Sequence, residues 1–373
     1  MRIKAILSMA VLVVGCSGSQ SKSGLVWEEA SHLPAISGSK NIGVAGPIAG
    51  IIQDKLIVAA GANFPDGLPW DGGKKVYHSQ GYIYSISGSS IKLDTIFNLE
   101  AGIAYPANLS LPDAIYIAGG ENETGPIDQV AKYELSERGK LEKKYLKPLP
   151  VALTNAGLAA VTNEIFFIGG ENAELVSDRV YSLKLDDSTA NWIEYMKLPY
   201  PVSHAVVLGN GKDKVYVIGG RKKNPNAISD IYDGLLELDL NTKSVRELTK
   251  LPKALAAGTG VYKDGKIFVF GGDDGSTFSK VEEAIANIAK ENDPLKKEKL
   301  TQAKNKLQAG HPGFSKENWV YDLKTGSWSQ LEGMETESPV TTSAVIKENL
   351  FFIPSGEVRA GVRTDQILVG QIK

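Results

Sequence analysis

The chain has 373 residues, with 41 Lys and Arg against 43 Asp and Glu, a formal net charge of −2, and 42% hydrophobic residues. That apolar fraction supports a sizeable core and excludes disorder as the dominant state, and the near-balanced charge lacks the basic footprint that nucleic acid or a polybasic membrane contact needs. A single Cys and four scattered His (His32, His78, His204, His311) exclude an internal disulfide and a cysteine-based metal centre, and form no metal-spaced pair, so no metal site is expected.

Residues 1–15 read as a signal segment. Arg2 and Lys4 are followed by the apolar run Ala5 to Val14 and the small Gly15, too short to span a bilayer. The sole Cys, Cys16, follows Val13-Val14-Gly15, a setting that resembles a bacterial lipobox, so lipidation at Cys16 is expected. Residues 16–24 then form a flexible tether. The protein is expected to be exported and anchored in the outer membrane, facing the periplasm or cell surface, with membrane contact only through the lipid. An ordinary signal peptide that happens to contain a Cys is the alternative.

From residue 25 to 373 one pattern recurs. Val26 to Pro34 is an isolated strand ending in Leu-Pro. An apolar strand then ends in Gly, or a Gly doublet, at Ala60-Gly61, Gly119-Gly120, Gly169-Gly170, Gly219-Gly220, Gly271-Gly272 and Ser355-Gly356. Successive second positions are 59, 50, 50, 52 and 84 residues apart, and the long interval holds an insertion. Each unit also carries a small-residue strand before the doublet and two alternating strands after it, such as Val180 to Leu185 and Trp192 to Lys197. Four short strands per roughly 50-residue unit predict an all-β fold, a six-bladed kelch-type β-propeller. Near-constant spacing argues against an irregular β-sandwich. The last unit stops without an outer strand, and the N-terminal strand lacks a blade, so the two are expected to close the ring.

Residues 279–310 break the β pattern. Val281 to Ile288 and Leu295 to Leu307 have helical apolar spacing, divided at Asp293-Pro294, and predict a helical hairpin after the fifth doublet, either a cap or a structural flap.

In a four-stranded meander, the doublet loops and the Leu-Pro loops lie at the same end of the ring. Polar residues follow the doublets there: Asn63, Glu121-Asn122, Glu171-Asn172, Arg221, Asp273 and Glu357. Such a funnel, with both signs of charge, suits a small polyhydroxylated acid better than a lipid or nucleic acid. The sixth connection, Ser355 to Asp365, holds Glu357 and Arg363 between Gly356 and Gly361. A carboxylate can act as general base and a guanidinium can clamp a substrate carboxylate, though a Glu-Arg surface ion pair is an equal reading of these residue types.

Gly356-Glu357-Val358-Arg359-Ala360-Gly361-Val362-Arg363-Thr364-Asp365 resembles the Gly-Glu-x-x-x-Gly-x-Arg-Thr-Asp motif of bacterial N-acetylneuraminate epimerases, the sialic acid mutarotases. Ala60-Gly61-Ala62-Asn63-Phe64-Pro65 and the Gly72-Gly73-Lys74-Lys75 loop are similar to that family's Gly-Ala-x-Phe blade and its Lys-containing loop, and the helical insertion is shared. Here the Gly-Ala-x-Phe blade comes first and the Glu-Arg blade last, the order of a cyclically permuted member. The resemblance implies interconversion of the α and β anomers of N-acetylneuraminate without a cofactor, with Glu357 as proton acceptor and Arg363 its partner. Asn63, Asn122, Asn172 and Arg221 are candidate substrate contacts by loop position. The rival is a non-catalytic kelch lipoprotein that binds a glycan or a protein. A copper radical oxidase is disfavoured because the ring lacks the Cys for a Tyr-Cys crosslink, and a sialidase because no Ser-x-Asp-x-Gly-x-x-Trp box is present. Cells fed a lipid precursor should label the wild-type protein and leave Cys16→Ser unlabelled; an unlabelled wild type would refute the anchor.

Overall fold

A computed structural model describes residues 24–36 and 38–372. The expected signal segment, Cys16 and the expected tether up to residue 23 lie outside the described residues. Six four-stranded antiparallel sheets follow one another in chain order. Blades one to five are continuous meanders, starting from inner strands Ile48–Ile52, Ala107–Leu111, Gly157–Val161, Val206–Gly209 and Thr259–Lys263. Blade six takes Val345–Lys347, Leu350–Arg359 and Val362–Ile372 from the C-terminus and its outer strand, Leu25–His32, from the N-terminus. Each inner strand packs against the next, and the sixth packs against the first, so the ring is closed.

The burial pattern follows from this stacking. A blade is covered on both faces, so its inner two strands read as apolar runs, and Ile48–Ile52 and Ala114–Ala118 are buried throughout. Outer strands such as Ser90–Asn98 reach solvent and alternate. Among the described residues six apolar clusters form, one in each gap between adjacent blades. Phe167 and Trp192 anchor the gap between blades two and three, and Phe270 and Phe351 the gap between five and six. Leu25 of the N-terminal strand is 1% exposed within this last cluster, and Trp27 meets Phe270 edge-on at 5.1 Å.

The doublets have one geometry in all six blades. Both residues sit at positive φ, at 65° and 97° in Gly119-Gly120 and at 56° and 124° in Ser355-Gly356. In five blades the second glycine donates its N–H to the lead-in loop of the next blade, as Gly120 does to Leu153 at 2.9 Å and Gly356 to Val44 at 2.9 Å. The glycine excess is thus spent on joints between blades. Ser355 holds a conformation suited to Gly because its hydroxyl accepts from the Val44 N–H at 2.9 Å and donates to the Thr364 carbonyl at 2.7 Å.

A second set of bonds closes around the axis. Tyr105 N–H donates to Gly46 O, Asn155 to Tyr105, His204 to Asn155, Ala257 to His204, Thr341 to Ala257, and Gly46 back to Thr341, at 2.6 to 3.2 Å. All six residues have positive φ, from 49° at Thr341 to 64° at Gly46. On the far side of this hydrogen-bonded ring from the doublets lies a cavity of about 290 Å3, lined by the inner strands of blades two to six and by Gly46 and Pro47 of blade one.

The helical hairpin is present as α1 (Ser276–Lys290) and α2 (Pro294–Ala309). It starts three residues before the expected 279, because Ser276 to Phe278 lack the apolar spacing yet wind directly out of Gly275, at φ 76°. Asp293 caps α2 by accepting from the Leu295 and Lys296 N–H groups, with Pro294 as the first helical residue. Leu25→Ala should lower the free energy of unfolding by about 2–5 kcal/mol, read by denaturant titration. A change below about 0.5 kcal/mol, the usual effect of an exposed position, would refute a buried closing strand.

Candidate functional site

The residue after each doublet exchanges two backbone hydrogen bonds with its own blade's lead-in loop: Ala62 with Ala45, Glu121 with Ala104, Glu171 with Thr154, Arg221 with Ser203, Asp273 with Ala256 and Glu357 with Val340. These six positions therefore stand at equivalent places around one face, and five carry charge. In blade six the connection is a continuation of the sheet where a loop was expected. The two strands run on past Gly356 and turn at Ala360-Gly361, where Gly361 takes φ 72°. Glu357 and Arg363 are direct cross-strand partners, which sets both side chains on one face of the hairpin and explains their six-residue spacing.

Glu357 Oε1 accepts the Gly361 N–H at 2.8 Å and lies 3.4 Å from Arg363 Nη1. The Arg363 side chain is only 4% exposed, and its Cζ lies 4.8 Å from the Phe64 ring centre. Its Nε and Nη1 are buried and make no hydrogen bond among the described residues, so the cation presents open donors against an aromatic wall. Such donors are costly unless an acceptor meets them, and a carboxylate is the acceptor whose geometry fits a guanidinium best.

Beside this pair, Lys75 Nζ and Tyr77 Oη both reach Glu121 Oε1, at 2.9 and 2.8 Å, and Lys75 Nζ stands 5.2 Å from the Tyr105 ring centre. Burial pushes the Tyr105 hydroxyl above its ordinary range, against the pull of Arg363 and Lys75, and keeps it a proton-bearing donor. A further cluster lies in blades three and four. Arg221 Nη2 meets Glu171 Oε1 at 3.0 Å, Ser203 Oγ donates to Glu171 Oε2 at 2.9 Å, and His204 Nδ1 is 3.1 Å from Ser203 Oγ. Burial, with Arg221, brings the His204 imidazole down to about 3. Burial alone would raise the Glu171 carboxyl, but the Arg221 guanidinium and the Ser203 hydroxyl outweigh it and bring it down. Asp273, in the next blade, is raised by burial.

Of the residues expected from sequence, the structure brings Glu357 and Arg363 together and places Arg221 in the second cluster. The three asparagines engage their amides locally. Asn63 is 3% exposed and bonds the Gly43 carbonyl and His78. Asn122 Oδ1 accepts from Thr124 N–H and Oγ1, and Asn172 Oδ1 accepts from the Glu174 and Leu175 N–H groups. Tyr105, His204 and Phe278 were not anticipated. A signal for the first two exists: the axial residues fall fifteen positions before the second doublet residue, or sixteen at His204.

The sequence profile of N-acetylneuraminate epimerase matches residues 146–373, more than half of the chain. An N-acetylneuraminate epimerase of Haemophilus influenzae (strain PittEE) is 23% identical over 224 residues, 60% of this chain and 58% of that protein. One from Brucella melitensis is 24% identical over 251 residues, 65% of this chain and 63% of that protein, and one from Pasteurella multocida 31% over 126 residues, 30% and 33%. The chain thus spans less than two thirds of the length of each of these relatives.

The depressed His204 pKa has a stability consequence. Its neutral form is favoured on folding, so the contribution is complete above the ordinary histidine pKa of 6.5 and is lost as the pH falls from there towards 3. His204→Asn should therefore lose less unfolding free energy than wild type between about pH 7 and about pH 4 in denaturant titrations. Equal slopes would show that His204 titrates normally.

Proposed function

The chain belongs to the N-acetylneuraminate epimerase family, and from that premise we propose that it interconverts the α and β anomers of N-acetylneuraminate, with Glu357 and Arg363 as the working pair. The observation that carries this reading is the cross-strand pairing of a carboxylate with a buried guanidinium that has unpaired donors. Arg363 holds the C1 carboxylate of the sugar acid. Glu357 takes the proton of the anomeric C2 hydroxyl, the C2 to ring-oxygen bond breaks to give the open keto form, and the same proton passes to the ring oxygen. Rotation about the freed carbon and the reverse steps close the ring on its other face. Atoms and protons balance within this cycle, and only a correctly placed acid-base group is required.

The match from residue 146 onward supports the permuted order, because a linear alignment can follow only one side of a circular permutation. In a closed ring, permutation leaves each blade's neighbours unchanged. We further propose that the protein acts outside the cytoplasm, held by lipid on Cys16, on a small sugar acid. The test is NMR of freshly released α-N-acetylneuraminate. Wild type should speed equilibration with the β anomer, and Glu357→Gln and Arg363→Ala should each reduce that acceleration by about a hundredfold or more while keeping the folded spectrum. Unchanged equilibration with wild type would reject the mutarotase reading in favour of a glycan-binding protein, and full activity in both variants would reject the site.

A further inference from the structure

In a ring of six, blade three stands across the axis from blade six, and blade four across from blade one. Glu171 and Arg221 therefore occupy, in blades three and four, the places opposite Glu357 and Ala62. Arg221 resembles Arg363 in three respects. It pairs with one glutamate, at 3.0 Å, its Cζ lies 4.8 Å from an aromatic ring, here Phe278 of α1, and it has a buried nitrogen, Nε, with no hydrogen-bond partner among the described residues. It differs in the company it keeps. Glu171 is held by Ser203 as well as by Arg221, and the neutral imidazole of His204 adds a group able to donate or accept. A paired carboxylate and guanidinium with open positions on both offers donors and acceptors side by side, the pattern that binds adjacent hydroxyls or an amide rather than a second anion.

The helical hairpin adds the cover. Phe278 lies on Arg221, and Glu282 of α1 accepts from the Ser229 N–H and hydroxyl of blade four at 2.8 and 2.7 Å. Asn305 of α2 reaches the Trp70 carbonyl of blade one at 3.5 Å. Blades four and one are opposite, so the hairpin spans the doublet face from one side to the other. Aromatic cover on a polar pair is the usual composition of a carbohydrate site, with the ring shielding hydrogen bonds from water.

We propose that Glu171, Arg221 and His204, covered by Phe278, form a second subsite that grips the uncharged, hydroxyl-bearing end of the sugar acid whose carboxylate lies at Arg363. This rests on the sugar-acid reading of the Glu357–Arg363 pair. It makes the α1 cover a specificity element: the length and hydroxylation of the acid's side chain are read at Arg221, away from the reacting carbon.

The experiment is calorimetric binding of N-acetylneuraminate and of an analogue with its glycerol side chain shortened, to the full folded protein. Wild type should bind the full-length acid more tightly. Arg221→Ala should weaken the full-length acid roughly tenfold to a hundredfold and leave the shortened acid within about threefold. Phe278→Ala, which removes only the cover, should narrow the same preference. Glu357→Gln should keep the preference while losing anomer exchange, so binding and chemistry are read separately. An unchanged preference in both Arg221→Ala and Phe278→Ala would overturn the subsite and leave the mutarotase reading standing. Failure of wild type to bind either acid would overturn both.

Discussion

The closed loop of six backbone hydrogen bonds at the axis is the constraint on which the site depends. Each N–H from one blade's lead-in residue meets the carbonyl of the previous blade, so no blade can rotate or withdraw without breaking bonds on both sides. The geometry requires left-handed backbone at every member. Five of the six are not glycine, and each such residue costs roughly 1–3 kcal/mol of local strain. Strain of that size persists only where the surroundings over-determine it, and here the apolar clusters in all six gaps do so. The strained residues are also those nearest the axis, so Tyr105 and His204 owe their positions to the bonds that close the ring.

The doublets work one shell further out. Positive φ at two successive residues reverses the chain so that the next residue returns to its own blade, while in five blades the second glycine ties to the following one. The residue after the doublet is thus fixed by two backbone bonds before its side chain does anything. A charged group held in this way loses little further entropy on meeting a ligand, which is what preorganised polar sites require. Glu121, Glu171, Arg221, Asp273 and Glu357 share this support. Ala62 does not need it, and its place in blade one is flanked by Phe64, the wall against Arg363.

Much of the fold was legible in the chain because its determinants are local and repeated. Gly doublets at near-constant spacing, apolar inner strands, an unmatched N-terminal strand and a last unit short of one strand specify a closed ring. The Glu357–Arg363 pair was legible as a motif, but its arrangement was not. A Gly-framed segment reads as a loop, and only the register of the long hairpin shows the two residues to be cross-strand partners. Asn63, Asn122 and Asn172 show a different limit, since their amides engage neighbouring groups. Asparagine after a glycine turn is as well suited to capping backbone N–H groups as to binding sugar hydroxyls, and sequence position does not separate the two. Phe278 was out of reach for a different reason: it comes from an insertion, whose docking depends on the surface it lands on.

The two arginine clusters show how burial divides labour between like residues. Both cations are drawn into a low-dielectric face, and each keeps one carboxylate partner, which offsets part of the desolvation penalty without filling the guanidinium. At Arg363 the partner stands at 3.4 Å in a poor hydrogen-bonding direction, and Nε and Nη1 of the cation are left without a partner among the described residues. At Arg221 the partner is closer, at 3.0 Å, and is also held by Ser203, so Glu171 is committed to its place. A carboxylate fixed by two donors makes a poor base and a good hydrogen-bond acceptor, whereas one fixed by a single backbone N–H keeps an oxygen for chemistry. Under the proposed mutarotase reading, the two pairs, opposed across one axis, divide a single face into an end that reacts and an end that recognises.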